Sequence, residues 1–283
     1  MGAAEAVAAM PREATVPTIT TDDDVRLSYT DQGDPSDRVV VLIAGFKAPA
    51  TSWKPQQRVL GAAGYRVVSF DRRGHGLSDR PETGATMKRH GADLAVLLDQ
   101  LDLRRVVLVG GSMGANVIWS YLADFGEERV HSVVTVDQTP KMLNADDWPY
   151  GFYDYTDANR DTLFATRVPD PGRVSIASKG PVRIGRLLKA LGGAERHELT
   201  APEKHLLGDH ARADWRKVIA GTRVPVLFIA GGQSEFWPPD HAAASAALAP
   251  NGSCLVIEKA GHAVNIEQPN RLNVALLAFL ARS

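Results

Sequence analysis

A serine between two glycines follows a short apolar run and precedes a helical pattern. The motif G-x-S-x-G places Ser112 between Gly110 and Gly114, directly after the run Val106 to Val109. A sharp turn from strand to helix strains the backbone at its serine, and glycines avoid the collisions that side chains would cause there. The pattern alone arises by chance, but its position between strand and helix makes it specific. We therefore predict that Ser112 is a nucleophile beside the positive end of a helix.

A serine hydroxyl becomes an effective nucleophile when a neighbouring imidazole accepts its proton. His262 suits this role, because it follows the last apolar run, Leu255 to Ile257, and precedes a helical pattern that begins near Pro269. A base that comes after the serine in the chain is the expected order for a nucleophile on a strand-to-helix turn. The remaining histidines are predicted to be surface or structural residues: His75, His90, His131, His197, His205, His210 and His241.

Short β-branched runs alternate with helical patterns along most of the chain, which is typical of parallel strands that helices bury on both faces. Thr18 to Thr20 and Val25 to Thr30 flank an acidic turn and predict an antiparallel hairpin at one edge. The other strand candidates are residues 39–43, 65–70, 106–109, 133–136, 226–229 and 255–257. The helix candidates between them are residues 56–63, 90–101, 114–125, 241–248 and 269–281. The sequence therefore predicts an α/β fold.

The alternation stops between residues 138 and 222, where the helical patterns 182–191 and 213–220 occur. An insertion at the carboxyl ends of parallel strands covers the ligand crevice of such a sheet. We predict a helical cap over residues 138–222, a core formed by residues 16–137 and 223–283, and a flexible N-terminal tail over residues 1–15.

These features resemble the α/β-hydrolase superfamily over nearly the whole chain. Besides Ser112 and His262, residues 71–78 read DRRGHGLS and are similar to the superfamily turn D-x-R-G-x-G-x-S, which implies support for the floor of the active site. The resemblance implies a mostly parallel sheet of eight strands flanked by helices, a helical cap, and a catalytic triad that works without a cofactor.

The acid of the triad departs from the superfamily pattern. Most relatives place it after the penultimate strand in a segment resembling G-x-x-D-x-x-x-P, but here residues 231–238 have Ser234 at the aspartate position. A serine cannot stabilise an imidazolium as a carboxylate does. Some members place the acid at the end of the strand after the elbow helix, where this chain has Asp137. We predict Asp137 as the acid, with Glu235 as the alternative; a site without an acid is a third possibility, and Asp137 would then cap a helix.

Acyl transfer also needs two N–H donors aimed at the developing oxyanion. Met113, which follows the nucleophile, is one candidate, and Phe46, in the loop after the third strand, corresponds to the usual second donor. Lys47 is interpreted as a surface residue rather than a group that polarises the substrate. Trp53 and an aromatic cluster are candidates for binding an apolar substrate, although the cluster could equally form the core of the cap. The cluster comprises Trp148, Tyr150, Phe152, Tyr153 and Tyr155.

Composition argues against several other classes of function. Lys and Arg number 32 against 33 Asp and Glu, which gives no basic surface for nucleic acid and no attraction to an acidic membrane. No apolar run is long enough to span a bilayer. Cys254 is the only cysteine, so no internal disulfide forms, and a cytoplasmic location is expected. The motifs of metal and nucleotide-phosphate sites are missing from the sequence. The sequence does not predict an oligomeric state.

The sequence thus predicts an enzyme that hydrolyses a small-molecule carboxylic ester or lactone of moderate size and apolar character through an acyl-enzyme on Ser112. Hydrolysis of a carbon–carbon bond, or cofactor-free perhydrolase or haloperoxidase-like activity, would use the same triad. A non-hydrolytic small-molecule receptor or tailoring protein is the alternative of another class, and Ser234 at the usual position of the acid is the observation in its favour.

Overall fold

A sheet of eight strands forms the centre of the described part of the chain. The computed structural model describes residues 16–191 and 198–283, so the predicted tail over residues 1–15 lies outside the described residues. The strands are β1 (Thr18–Thr20), β2 (Arg26–Gln32), β3 (Val39–Ile43), β4 (Arg66–Phe70), β5 (Val106–Gly111), β6 (Val130–Val136), β7 (Val226–Gly231) and β8 (Gly252–Ile257). Their order in the sheet is β1-β2-β4-β3-β5-β6-β7-β8. β2 pairs antiparallel with β1 and β4, and the other neighbours pair parallel.

Helices connect the parallel strands and cover both faces of the sheet. Those of the core are α1 (Lys54–Ala62), α2 (Met87–Gln100), α3 (Met113–Phe125), α7 (His241–Leu248), α8 (Val264–Glu267) and α9 (Pro269–Leu280). Between β6 and β7 lie α4 (Gly180–Leu191), α5 (Ala201–Arg212) and α6 (Arg216–Gly221). The predicted α/β fold, with a mostly parallel sheet of eight strands flanked by helices, is confirmed.

Successive side chains of a strand point to opposite faces of the sheet, so one short apolar run packs against the helices on both faces. In β3, Val40 and Leu42 belong to the same buried cluster as Leu272 of α9. Val41 and Ile43 belong to the cluster on the opposite face, together with Leu94 of α2. All five residues of β3 are buried, which accounts for the absence of polar alternation in its sequence.

Two elements differ from the sequence-based expectation. β8 is the edge strand of the sheet among the described residues, and its residues Leu255 and Val256 are 40% and 39% exposed. The segment between β6 and β7 contains α5, which the hydrophobic pattern did not indicate, and α6 begins at Arg216 rather than at residue 213. α5 begins with a capping box in which Thr200 and Glu203 exchange side-chain hydrogen bonds with backbone amides.

None of the helices within residues 16–191 and 198–283 combines the length and the apolar character that crossing a bilayer requires. The boundaries of core and cap at residues 137 and 222 stay a prediction.

Candidate active site

Ser112 lies on the turn between β5 and α3 in a strained backbone conformation. Its φ and ψ angles are 51° and −132°, a region that costs a residue with a side chain about 1–3 kcal/mol. Two hydrogen bonds hold the turn: the Ser112 amide donates to the Val136 carbonyl over 2.9 Å, and the Ala115 amide donates to the Ser112 carbonyl over 2.8 Å. The serine side chain therefore projects from a fixed turn at the carboxyl end of the sheet.

The two glycines of the motif are required by close approach of the backbone. A Cβ atom on Gly110 would lie 2.5 Å from the Ala115 nitrogen, and one on Gly114 would lie 2.3 Å from the Ile43 carbonyl oxygen. Any side chain at these positions would push α3 away from β5 and β3. The pattern G-x-S-x-G is thus the local condition for placing a helix start directly behind the serine.

His262 lies between Ser112 and Asp137. Its Nε2 is 2.9 Å from Ser112 Oγ, and its Nδ1 is 2.8 Å from Asp137 Oδ2. Phe236 and Trp237 pack against the imidazole, with ring centroids 4.4 Å and 5.2 Å from it. These contacts fix the ring plane so that one nitrogen faces the hydroxyl and the other faces the carboxylate.

Asp137 is completely buried at the end of β6, with a positive φ of 49° that aspartate tolerates better than most residues. Its Oδ1 accepts from the Gly231 amide and its Oδ2 accepts from Ser234 Oγ, each over 2.7 Å. Burial alone would raise the pKa of Asp137, but the neighbouring imidazoles of His241 and His262 outweigh it and lower the pKa to about 2. The carboxylate is therefore charged at neutral pH.

Glu235 contacts the backbone of His262 rather than its ring. Its Oε2 accepts from the His262 amide over 2.7 Å, and Lys179, just before α4, forms an ion pair with it. Lys179 Nζ also lies 2.7 Å from Glu267 Oε1, and Glu267 Oε2 accepts from the Gly261 amide over 3.0 Å. The structure thus brings Asp137, and not Glu235, to the imidazole, while Glu235 holds the loop that carries it.

The two predicted oxyanion donors lie beside the serine. Met113 is the first residue of α3, where a backbone N–H has no acceptor within the helix. The loop after β3 runs against the nucleophile, since a Cβ atom on Gly45 would lie 2.9 Å from Ser112 Cβ. Phe46 and Met113 both line the cavity into which Ser112 opens. Both residues therefore lie close to the serine, and their roles as oxyanion donors stay a prediction.

A mainly apolar cavity of about 830 Å³ lies above Ser112 and His262. Of the predicted substrate-binding residues, Trp53 and Phe152 line it. Its wall also includes Met142, Phe164, Val168, Leu199, Leu207 and Ile266. Lys47 lines the cavity too, with its Nζ 3.8 Å from Glu203 Oε1. The volume suits a ligand of moderate size.

The other members of the aromatic cluster are not among the described residues that line this cavity, so their assignment to substrate binding stays a prediction. Trp148 donates its indole N–H to Thr139 Oγ1 and contacts Tyr150 edge-on, with ring centroids 5.4 Å apart. The ring of Tyr153 lies 4.9 Å from the guanidinium carbon of Arg173. The aromatic area of these residues is used in packing within the insertion.

Sequence reasoning missed several residues that lie close to the triad or line the cavity. Ser234 was seen as a lost acid but is a buried donor to Asp137. His241 was assigned to surface or structure, yet its Nε2 lies 3.8 Å from Asp137 Oδ1. His210 lines the cavity from α5. The sequence gave one indication for Ser234 and His241, namely that both follow closely after the end of a strand at Gly231. It gave no indication for His210.

Among the described residues, no group of three or more histidine, cysteine, aspartate or glutamate side chains is placed to hold a metal ion. The chemistry that the arrangement supports directly is nucleophilic catalysis by a serine with an imidazole base and a buried carboxylate.

Comparison with known proteins places this geometry in a family. A family model for the alpha/beta hydrolase fold matches residues 38–269. A non-heme chloroperoxidase of Streptomyces lividans is 30% identical over 278 residues, which cover 93% of this chain and 99% of that protein. A bifunctional esterase/perhydrolase, DCH, of Acinetobacter calcoaceticus is 25% identical over 277 residues, which cover 93% and 98%. The crystal structure of a bromoperoxidase from Bacillus anthracis matches with a TM-score of 0.77 at 26% identity, over 94% of this chain and 100% of that chain.

The family match extends over Ser112, Asp137 and His262 and over every parallel strand that positions them. The chain belongs to the family with the alpha/beta hydrolase fold.

Proposed function

We propose that this protein is a serine hydrolase that cleaves a carboxylic ester or lactone of moderate size and apolar character through an acyl-enzyme on Ser112. The observation that carries the proposal is the continuous chain of contacts from Ser112 Oγ through His262 to Asp137 Oδ2, with distances of 2.9 Å and 2.8 Å, at the floor of an apolar cavity. Similarity to a bifunctional esterase/perhydrolase supports the same chemistry.

In the proposed reaction, His262 Nε2 takes the proton of Ser112 as the oxygen attacks the carbonyl carbon of the substrate. The N–H groups of Phe46 and Met113 stabilise the tetrahedral oxyanion. Asp137 orients the ring through Nδ1 and stabilises the imidazolium. His262 then donates its proton to the leaving alkoxide, and water, activated by the same imidazole, releases the acid from Ser112. The buried, charged Asp137 supports this role better than Glu235, which accepts from the backbone of His262.

A second reaction of the same acyl-enzyme is perhydrolysis, in which hydrogen peroxide replaces water and the product is a peroxycarboxylic acid. Similarity to proteins named non-heme chloroperoxidase and esterase/perhydrolase favours this candidate. The carboxylate beside His262 weakens the receptor alternative, because that alternative rested on the lost acid at Ser234.

The test is turnover of a panel of p-nitrophenyl esters and lactones by the folded wild type and three variants. Ser112→Ala should abolish turnover, and Asp137→Asn should lower kcat by about 10³-fold or more, because the imidazole loses its orienting carboxylate. Glu235→Gln keeps an oxygen that accepts from the His262 amide and should lower kcat by less than about 10-fold. The same panel with hydrogen peroxide added measures peroxy acid formation and separates the two candidate reactions.

The hydrolase proposal fails if the folded wild type turns over no member of the panel and Ser112 resists a fluorophosphonate. It also fails if Ser112→Ala retains the wild-type rate. A wild type that is labelled at Ser112 and forms peroxy acid much faster than it hydrolyses ester favours perhydrolysis.

A further inference from the structure

Arg72 lies beneath the loop that precedes the nucleophile and is 1% exposed. It follows β4, whose carboxyl end lies beside that of β3 in the sheet. Its Nε donates to the Ala44 carbonyl over 3.1 Å, and its Nη2 donates to the Gly45 carbonyl over 2.8 Å. Its Nη1 lies 3.6 Å from the sulfur of Met113. One guanidinium therefore contacts both segments that carry the proposed oxyanion donors.

Two histidines complete the surroundings of this cation. Arg72 Nη2 lies 3.0 Å from His75 Nε2, and Arg72 Nη1 lies 3.2 Å from His90 Nδ1. A guanidinium only donates, so both ring nitrogens must accept, which requires neutral rings. His75 satisfies this condition because its Nδ1 lies 2.8 Å from the Arg73 carbonyl and can donate to it. Burial and the charge of Arg72 lower the pKa of both histidines well below the usual value.

The five N–H groups of Arg72 thus meet five acceptors, and none of these is a carboxylate. Among the described residues, no salt bridge involves Arg72, whereas its neighbour Arg73 pairs with Asp93 and Asp23. A buried charge is usually paired with an opposite charge. Asp93 and Asp71 interact with Arg72 electrostatically but form no hydrogen bond with it, so the positive charge of Arg72 also acts on negative charge that forms beside it.

The hydrogen bond to Gly45 also fixes an orientation. In a planar trans peptide, the N–H points opposite to the C=O of the same unit. The Gly45 carbonyl accepts from Arg72 and, over 3.3 Å, from the Ala48 amide. The N–H of the same peptide unit belongs to Phe46, so it must point away from Arg72, and this peptide unit follows a glycine that lies against Ser112.

We propose that Arg72 is a positioning residue for the oxyanion hole, which aims the Phe46 N–H by holding the Gly45 carbonyl and adds positive potential beneath the oxyanion. This inference rests on the proposed acyl-enzyme chemistry at Ser112. The ligand that it stabilises is the tetrahedral oxyanion of an ester or lactone carbonyl, so its effect belongs to the transition state and not to binding of the neutral substrate.

The experiment compares Arg72→Lys and Arg72→Met with Arg66→Lys, a substitution of an arginine of β4 that pairs with Asp31 of β2. Both Arg72 variants should lower kcat for a p-nitrophenyl ester by about 10²–10³-fold with KM within about threefold. They should weaken, in parallel, inhibition by an alkyl boronic acid, which forms a tetrahedral anionic adduct with a catalytic serine. Arg66→Lys should leave kcat within about threefold. Folded Arg72 variants with wild-type kcat, or with unchanged boronic acid affinity, would overturn the proposal.

A second measurement does not depend on the variants folding. In a crystal structure of the wild type with the boronic acid bonded to Ser112, a boronate oxygen should lie about 2.7–3.1 Å from the Phe46 nitrogen, with the Gly45 carbonyl still on Arg72. A Gly45–Phe46 peptide turned away from Arg72 in that adduct overturns the positioning role alone. A folded wild type without Ser112-dependent turnover and without a boronate adduct overturns the proposed function, and the role of Arg72 with it.

Discussion

Ser234 Oγ donates a hydrogen bond of 2.7 Å to Asp137 Oδ2, the same carboxylate oxygen that lies 2.8 Å from His262 Nδ1. Ser234 occupies the position where the resemblance predicts the acid. It therefore stabilises an acid, Asp137, that comes from the neighbouring strand β6. The Gly231 amide holds the other oxygen of Asp137, so the carboxylate has fixed partners on both oxygens.

Ser234→Ala should lower kcat by several-fold and the free energy of unfolding by roughly 1.5–3 kcal/mol, because a hydrogen bond to a buried charge is lost. Steady-state kinetics on the best ester and urea denaturation measure the two effects. Ser120→Ala is the control, since Ser120 is equally buried but donates to the Met87 carbonyl away from the site. Equal kcat values for both variants would show that Ser234 has no role in orienting Asp137.

Moving the acid should restore part of the activity that Asp137→Asn removes. In the double variant Asp137→Asn with Ser234→Asp, the new carboxylate starts from a side chain whose oxygen is already 2.7 Å from Asp137 Oδ2. Asparagine tolerates the positive φ of residue 137, so the backbone need not change. We expect kcat at least about 10-fold above that of Asp137→Asn alone. The comparison needs only the two variants, and a double variant no faster than the single one refutes the expectation.

The parts of the fold that the sequence predicted are those with a local physical signature. The hydrophobic runs of β3 to β7 and the glycines around Ser112 are such signatures, because burial and close approach act on the residues themselves. α5 was missed because its sequence, APEKHLLGDHAR, carries few apolar residues and its stability comes from its cap and from contacts distant in the chain. For example, Asp209 of α5 accepts from the Met87 amide over 2.6 Å.

In the candidate site, too, features with a local sequence signature could be predicted and features that depend on distant contacts could not. Ser112 and His262 could be inferred from motifs and order, and Asp137 from its place at a strand end. The donor role of Ser234, the position of Glu235 on the His262 amide and the surroundings of Arg72 depend on which loops meet in space. No periodicity or spacing in the sequence indicates these contacts between loops that are distant in the chain. The aromatic residues near position 150 illustrate the ambiguity, since the same ring types serve the cavity wall at Phe152 and packing at Trp148.

Lys179→Met should destabilise the protein and impair catalysis together. The ammonium of Lys179 pairs with the buried carboxylate of Glu267 and the partly exposed carboxylate of Glu235, which accept from the Gly261 and His262 amides. Leaving a buried charge without a partner costs roughly 3–5 kcal/mol, and the loss here should be smaller because Arg183 still pairs with Glu267; a displaced histidine loop lowers kcat. Thermal unfolding and kcat measure both effects.

Lys189→Met, in the exposed last turn of α4, is the matched control and should change neither quantity appreciably. If Lys179→Met keeps the melting temperature and kcat of the wild type, the ion pairs of Lys179 with Glu235 and Glu267 stabilise neither the fold nor the loop that carries His262.

Stability should fall as the pH is lowered from 7.5 to 5.5. Burial, followed by the charge of Arg72, lowers the pKa of His75, His90 and His210 in the folded state, in the case of His210 to about 3. In the unfolded chain these groups titrate near 6.5, so below that pH the unfolded state binds protons that the folded state does not. The free energy of unfolding then decreases by about 1.4 kcal/mol per histidine at pH 5.5, or about 4 kcal/mol for the three. Asp137 does not contribute here, because its stabilisation is present above about 3.8 and is lost as the pH falls through about 2.

Urea denaturation at pH 7.5, 6.5 and 5.5 measures this dependence, and His210→Gln isolates one of the three groups. The variant should lose about 1.4 kcal/mol less than the wild type between pH 7.5 and 5.5, since glutamine takes up no proton on unfolding. His205→Gln, a substitution at an exposed histidine of the same helix, should follow the wild-type dependence. Identical pH dependence of His210→Gln and the wild type would mean that His210 has the same pKa in the folded and unfolded states, so that its ring is protonated in the folded protein at pH 5.5. That outcome would place a positive charge in the wall of the cavity at pH 5.5, which would favour a substrate carboxylate over an apolar acyl chain there.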